Sequence, residues 1–81
     1  MVEVKLWGSL RRFANGAEYV DVHARNVKQL LEALSEKHPG LKPELDRGVS
    51  VAVDGVIHQN AWFAPVSDEC EVVLMPYMEG G

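Results

Sequence analysis

The chain has 81 residues, enough for one small domain and no more. Hydrophobic residues make up 47% and charged residues 25%, the composition of a folded globular chain and not of a disordered one. A formal net charge of −4 argues against binding a phosphate backbone, which needs clustered Lys and Arg; Arg11-Arg12 is a pair, not a patch.

A chain of this size buries only about 60–65% of the surface it exposes when unfolded, so its core must be compact and single. The acidic balance suits partners that are basic. The one cysteine, Cys70, cannot close an internal disulfide, which points to a reducing compartment. No N-terminal run of signal-peptide type is visible, nor any stretch approaching about 18 apolar residues. The expected location is cytoplasmic.

The first segment, VEVKLW, alternates strictly, with Val2, Val4 and Leu6 on one side and Glu3, Lys5 and Trp7 on the other. That is a half-buried strand. GSLRRFANGAE follows as a loop with Gly8, Asn15 and Gly16 as turn residues. EYVDVH alternates again with Val20 and Val22 inward, so the two strands read as a hairpin with a long loop.

The period then changes. Val27, Leu30, Leu31 and Leu34 fall at i, i+3, i+4 and i+7, one stripe of a helix. Asn26 can cap it, with Gln29 three residues on as a weak capping box. His38-Pro39-Gly40 ends it, since proline cannot continue a helix and glycine accepts a left-handed exit. LKPELDRG has room for one further helical turn anchored by Leu41 and Leu45.

VSVAV alternates with Val49, Val51 and Val53 inward, and Asp54-Gly55 is a tight-turn signal, so Val56 and Ile57 begin a short return strand. HQNAWFAPVSD reads as irregular, because Pro65 argues against a central strand there and Ser67-Asp68 marks a turn. CEVVLM is apolar on both parities, the pattern of a strand interior to its sheet. The order β-β-α-β-β-β, with one helix for one sheet face, predicts an α+β domain. No repeat, linker or low-complexity segment interrupts it.

Most patterns that carry chemistry are missing from the sequence. It has no Gly-rich phosphate loop and no HExxH. His23, His38 and His58 lack metal-ligand spacing, and one cysteine cannot complete a zinc site, so no metal is expected. Cys70 lies between Glu69 and Glu71, an acidic setting that does not favour a thiolate nucleophile. Ser67-Asp68-Glu69 reads as a turn and not as an acid/base site.

What remains is the ending LMPYMEGG. Glycine makes up roughly 7% of average sequence, so a double-glycine terminus arises by chance in about 0.5% of chains. The setting sharpens the signal, because the glycines follow a strand and a proline with no packing anchor between. The residues from Pro76 to Gly81 can span roughly 20 Å when extended. A two-glycine tip has no Cβ atoms and can enter a channel that any other residue would block. It carries one reactive group, the α-carboxylate, which as an acyl-adenylate becomes an electrophile for sulfur or amine nucleophiles. The plain alternative is a frayed tail.

Those residues carry a resemblance. The chain resembles the MoaD/ThiS family of ubiquitin-like sulfur carriers, most closely the small subunits of molybdopterin synthase. The resemblance spans VKLWGSLRRFANGAEYVDV, NVKQLLEALSEKHPGL, VSVAVDGV and ECEVVLMPYMEGG, essentially the whole chain. The strand-Pro-x-x-x-Gly-Gly ending is its most specific part. It implies one β-grasp domain over residues 1–81: a mixed sheet of four to five strands, a main helix on one face, and a flexible tail over residues 75–81.

The resemblance also implies a mechanism. A ubiquitin-activating-like adenylyltransferase (MoeB-type) uses ATP with magnesium to adenylate Gly81. A sulfur donor such as a cysteine desulfurase or rhodanese then replaces AMP, leaving a C-terminal thiocarboxylate. The arm, Pro76, Tyr77, Met78, Glu79 and Gly80, enters the large subunit (MoaE-type), where the sulfur passes to a cyclic pyranopterin precursor on the way to molybdenum cofactor. The carrier has no catalysis of its own and no permanent cofactor. By position, the family's partner contact falls on Trp7, Ile57 and Met75. Trp7 shares the outward parity of Glu3 and Lys5, an unusual place for a large aromatic unless something covers it. The plain alternative is packing against loop residues such as Phe63. Trp62 and Phe63 either extend that patch or, the favoured reading, fold over the core as part of their loop.

The sequence departs from the family in places. SDECE stands where members often have a Gly-Asp turn, Tyr77 and Met78 stand where many have a second proline or a small residue, and Glu79 is larger than the usual residue before Gly-Gly. Other readings of the same features are a carrier for thiamin thiazole or tRNA thiolation, a ubiquitin-like modifier joined to lysines through Gly81, and a binding module that uses only its sheet face.

Overall fold

The computed structural model describes residues 1–58 and 61–76. Tyr77, Met78, Glu79, Gly80 and Gly81 lie outside the described residues, and with them most of the expected arm. Five strands form one mixed sheet: β1 (Val2–Leu6), β2 (Tyr19–Val22), β3 (Val49–Val53), β4 (Val56–His58) and β5 (Val72–Pro76), in the order β2-β1-β5-β3-β4. β1 and β5 run parallel at the centre, and the other neighbours are antiparallel. The helix α1 (Val27–Lys37) and the short α2 (Lys42–Arg47) complete the β-grasp arrangement.

The alternation in each strand sets the register. Val4 of β1 pairs with Val20 of β2 and Val72 of β5, so all three valines point to one face. There they meet Val27, Leu30 and Leu34 of α1, which are almost completely buried. Leu31, expected on the same stripe, is only partly buried at its flank. Full burial of a Leu or Val side chain contributes about 1.5–3 kcal/mol, and Val2, Val4, Leu6, Leu30, Leu34, Leu41 and Leu74 are all at 0–1% exposure. β5 lies at the centre of the sheet, as its two-sided apolar run requires.

The start of α1 is tied down from two directions. The Asn26 side chain accepts from the Gln29 N–H at 2.9 Å, the expected cap. The Gln29 side chain reaches one residue further back than a standard capping box and accepts from the Arg25 N–H at 2.9 Å. The next two free helix donors go to the irregular loop: Val27 N–H to the Ala64 carbonyl at 3.0 Å and Lys28 N–H to the Trp62 carbonyl at 2.8 Å. The loop between β4 and β5 is therefore irregular in shape but fixed in place.

Three local expectations change. The segment Gly8–Ala14 is a 3₁₀ helix and not an open loop; Leu10 and Ala14 bury one side of it. Gly40 does not provide a left-handed exit. It sits inside a 3₁₀ turn (Pro39–Leu41) that leads straight into α2, and its value is space: a Cβ there would lie 3.1 Å from the Phe13 carbonyl oxygen. The tail begins later than residue 75, because Met75 pairs with Ser50 and Pro76 with Val49 inside the sheet. The Asp54-Gly55 turn is as expected, with both residues at positive φ, 50° and 83°.

Candidate docking face and tail exit

Both helices lie on the core side of the sheet, which leaves the opposite face open. The register names its occupants. One row crosses all five strands as Tyr19, Lys5, Val73, Ala52 and Ile57. Beside it, the β1–β5 ladder continues past Leu6, with the Trp7 N–H bonded to the Leu74 carbonyl at 3.0 Å. This puts Trp7 level with Met75, whose own partner on β3 is Ser50. Trp7, Met75 and Ile57 therefore share one face, together with Tyr19, Val73 and Ala52. The sequence singled out none of these last three; the pairing across strands shows that they belong to the same surface.

This face is exposed without being loose. Trp7 is 53%, Tyr19 50% and Ile57 61% exposed. The Trp7 main chain is held on both sides, since its carbonyl accepts from the Leu10 N–H at 3.3 Å. The 3₁₀ segment that follows is clamped to the hairpin by Arg11, whose Nε donates to the Leu6 carbonyl at 2.9 Å and whose guanidinium lies 3.6 Å from Glu18. An exposed aromatic on a fixed backbone keeps its shape for a partner.

The face is graded along the strands. Glu3 and Asp21 are paired across β1 and β2, and Glu71 precedes β5, so carboxylates gather at the end away from Pro76. The apolar residues run from the middle row (Tyr19, Val73, Ala52 and Ile57) to the end where the chain leaves the sheet, at Trp7 and Met75. Pro76 closes β5 there, next to Trp7 and Met75 in the fold. A docked partner would thus meet the apolar patch and the start of the arm together.

The expected packing of Trp62 and Phe63 over the core is not what forms. Ala64 and Val66 take the inward positions, while Trp62 and Phe63 stay 46% and 77% exposed. They line a groove on the helical side with Leu31, Ser35 and Leu45, which Trp7 does not line, so Phe63 is not what covers the Trp7 side chain. Among the described residues no group of three or more His, Cys, Asp and Glu is arranged to hold a metal ion. The Cys70 sulfur lies 3.5 Å from the Ser67 hydroxyl inside the turn before β5. No helix among the described residues is long and apolar enough to cross a membrane.

Comparison with known proteins bears on the fold and the chain end. The profile described as the ThiS family matches residues 4–81, through the double glycine. No curated protein sequence matches significantly. Among solved structures, the complex of subunits 1 and 2 of molybdopterin-converting factor from Helicobacter pylori contains a chain 29% identical, with 99% of this chain and 97% of that one covered and a TM-score of 0.69. SAMP1 from Haloferax volcanii is 28% identical over 99% and 98% of the two chains, with a TM-score of 0.75. The BexX/CysO complex of Amycolatopsis orientalis contains a chain 22% identical over the full length of both, and its TM-score of 0.80 shows the shared fold.

Proposed function

The chain belongs to the ThiS family of ubiquitin-like sulfur carriers and modifiers, and from that premise we propose that it carries sulfur as a thiocarboxylate on Gly81 and serves as the small subunit of a molybdopterin synthase. The observation that carries the reading is the family match running unbroken to Gly81, the residue whose carboxylate would do the chemistry. The open apolar face beside Pro76 supports it, because it gives a partner a place to hold the domain while the arm reaches forward.

The chemistry asks little of the carrier itself. A terminal carboxylate oxygen attacks the α-phosphorus of ATP in the activating enzyme, and pyrophosphate leaves. The donor's persulfide sulfur then displaces AMP from the acyl carbon, and a second thiol cleaves the resulting acyl disulfide, releasing the thiocarboxylate and leaving a disulfide on the donor. The net change is one oxygen replaced by one sulfur. Gly80 and Gly81 supply a tip without Cβ atoms, and Tyr77 to Glu79 supply length. In the large subunit the thiocarboxylate sulfur then bonds to a carbon of a pyranopterin precursor, and water cleaves the acyl–sulfur bond, so the sulfur stays on the precursor and Gly81 returns as a carboxylate. The resemblance to subunit 1 of the Helicobacter pylori converting factor, solved with its subunit 2, favours this acceptor. Trp7, Ile57 and Met75 form the contact, and the carboxylates at the far end favour a partner with basic residues there.

A second reading has its own support. The likeness to SAMP1 of Haloferax volcanii, a small archaeal modifier protein, favours conjugation of Gly81 to lysines. One reconstitution separates them. The chain is incubated with ATP, activating enzyme, sulfur donor, large subunit and pyranopterin precursor. Dithiolene formation supports the carrier. Higher-mass protein adducts that survive reduction, with no dithiolene product, support the modifier.

A further inference from the structure

A second aromatic patch lies on the helical side of the sheet. Trp62 and Phe63 are neighbours in the loop before β5, and Phe63, at 77% exposure, is the most exposed of the large hydrophobic residues described. The loop cannot turn them inward without breaking its anchors. The Lys28 N–H holds the Trp62 carbonyl at 2.8 Å, the Val27 N–H holds the Ala64 carbonyl at 3.0 Å, and the Val66 N–H is bonded to the Arg25 carbonyl at 3.0 Å. Phe63 is thus pinned on both sides against the first turn of α1. With Leu31 of α1 and Leu45 of α2, the two rings line one groove. Fixed, exposed aromatics beside apolar helix residues are the composition of an interface core.

The charges around the groove say what kind of surface fits it. One wall carries Lys28 and Glu32, a turn apart on α1, and the other carries Lys42 and Asp46, a turn apart on α2. A rim of one sign would call for a partner of the other sign. This rim holds two cations and two anions, so it complements itself when two copies meet about a two-fold axis and each charge faces its opposite. The charges are also available for exchange. Among the described residues neither Lys28 nor Glu32 forms an ion pair. Lys42 and Asp46 pair at 3.9 Å with both side chains 67% exposed, a weak surface contact. The open sheet face differs, because it gathers Glu3, Asp21 and Glu71 at one end and so favours a basic partner over a second copy.

We propose that a second copy of the chain docks on this groove, in a two-fold contact where the Trp62 and Phe63 rings of each copy pack over the groove of the other. The pairing does not depend on the chemistry at Gly81. Both helices lie on the core side of the sheet, so a pair joined here leaves the open face of each copy, with Trp7, Ile57 and Met75, uncovered for a different partner. The groove is lined by nine residues. A standard interface uses about 20–30 a side, so the contact is a weak one, with a dissociation constant of roughly 10–1,000 µM.

Sedimentation equilibrium of the full chain, from about 10 µM to about 1 mM, is the test. The expected result is a mean mass that rises toward twice the monomer with concentration. Phe63→Ser should weaken the association at least about tenfold, as for an anchor at the centre of a contact. Phe63 is largely exposed, so the variant keeps its fold, which a denaturation curve checks. Trp7→Ala should associate like wild type. Two charge variants probe the rim, one with Glu32→Lys and Asp46→Lys, the other with Lys28→Glu and Lys42→Glu. Each alone should associate at least about tenfold less than wild type, and an equimolar mixture of the two should pair as well as wild type. A wild-type chain that stays monomeric at about 1 mM overturns the proposal. Association that survives Phe63→Ser overturns it as well, and its loss in Trp7→Ala instead moves the contact to the sheet face. Charge variants that each associate like wild type overturn the self-complementary rim.

Discussion

The two faces of the sheet are built from the same strands and alternate residue by residue, yet they are opposites. On the covered face, Val4, Leu6, Val72 and Leu74 are at 0–1% exposure against α1. On the open face, the interleaved positions carry Lys5, Trp7, Val73 and Met75, with Trp7 and Ile57 more than half exposed. Stability therefore resides on one face, and the apolar residues on the other are left free for contact. Separate substitutions on each should separate folding from binding.

The largest expected effect is on the covered face. Leu34→Ala removes a fully buried side chain under the sheet and should cost about 2–5 kcal/mol, read as a lowered denaturation midpoint. A loss under about 0.5 kcal/mol would mean that α1 does not organise the core. On the open face, Trp7→Ala should leave stability within about 1 kcal/mol of wild type yet weaken binding of the large subunit at least about tenfold, as for a central aromatic anchor. Equal losses in both assays would erase the contrast between the faces. Ile57→Asp should act similarly on binding, and the solubility of the free chain should rise.

Asn26→Ala should cost about 1 kcal/mol by freeing the Gln29 N–H, and should leave partner binding unchanged. Chemical denaturation with a binding titration on the same samples checks both halves. The smallest effect is expected from Arg11→Lys. It removes the Nε bond to the Leu6 carbonyl but keeps a charge near Glu18, for a loss of about 0.5–1 kcal/mol. A drop in partner affinity without loss of stability would show that Arg11 contacts the partner itself.

Much of this was legible in the sequence because burial writes a period into it. Strict alternation located β1, β2 and β3, and the two-sided apolar run of residues 72–75 put β5 in the middle. Asn26 and Asp54-Gly55 named a helix start and a hairpin turn through chemistry local to a few residues. Trp7 stood out because a large aromatic fell on the polar parity. The missed features depend on contacts distant in sequence. Gly8–Ala14 carries turn residues at its ends, and its helical turns become visible only once Leu10 and Ala14 are seen to be buried. Gly40 looked like a helix exit because glycine often is one, whereas the reason for it is the Phe13 carbonyl, 27 positions away in sequence (40 − 13). The sequence reads Trp62 and Phe63 as folding over the core with their loop, but Ala64 and Val66 fill the inward positions and the aromatics line the helical groove. Tyr19, Ala52 and Val73 join the docking face only through cross-strand register, which no single segment reveals.

The central claim is that the working group is the carboxylate of Gly81, and intact mass tests it most directly. The purified chain is incubated with ATP, a ubiquitin-activating-like adenylyltransferase proven on another carrier, and a sulfur donor, beside a control lacking Gly81. The account predicts a gain equal to one oxygen exchanged for one sulfur in the full chain and none in the control. An unchanged mass in both would contradict it and leave the open sheet face, without the tail, as the functional part of the molecule.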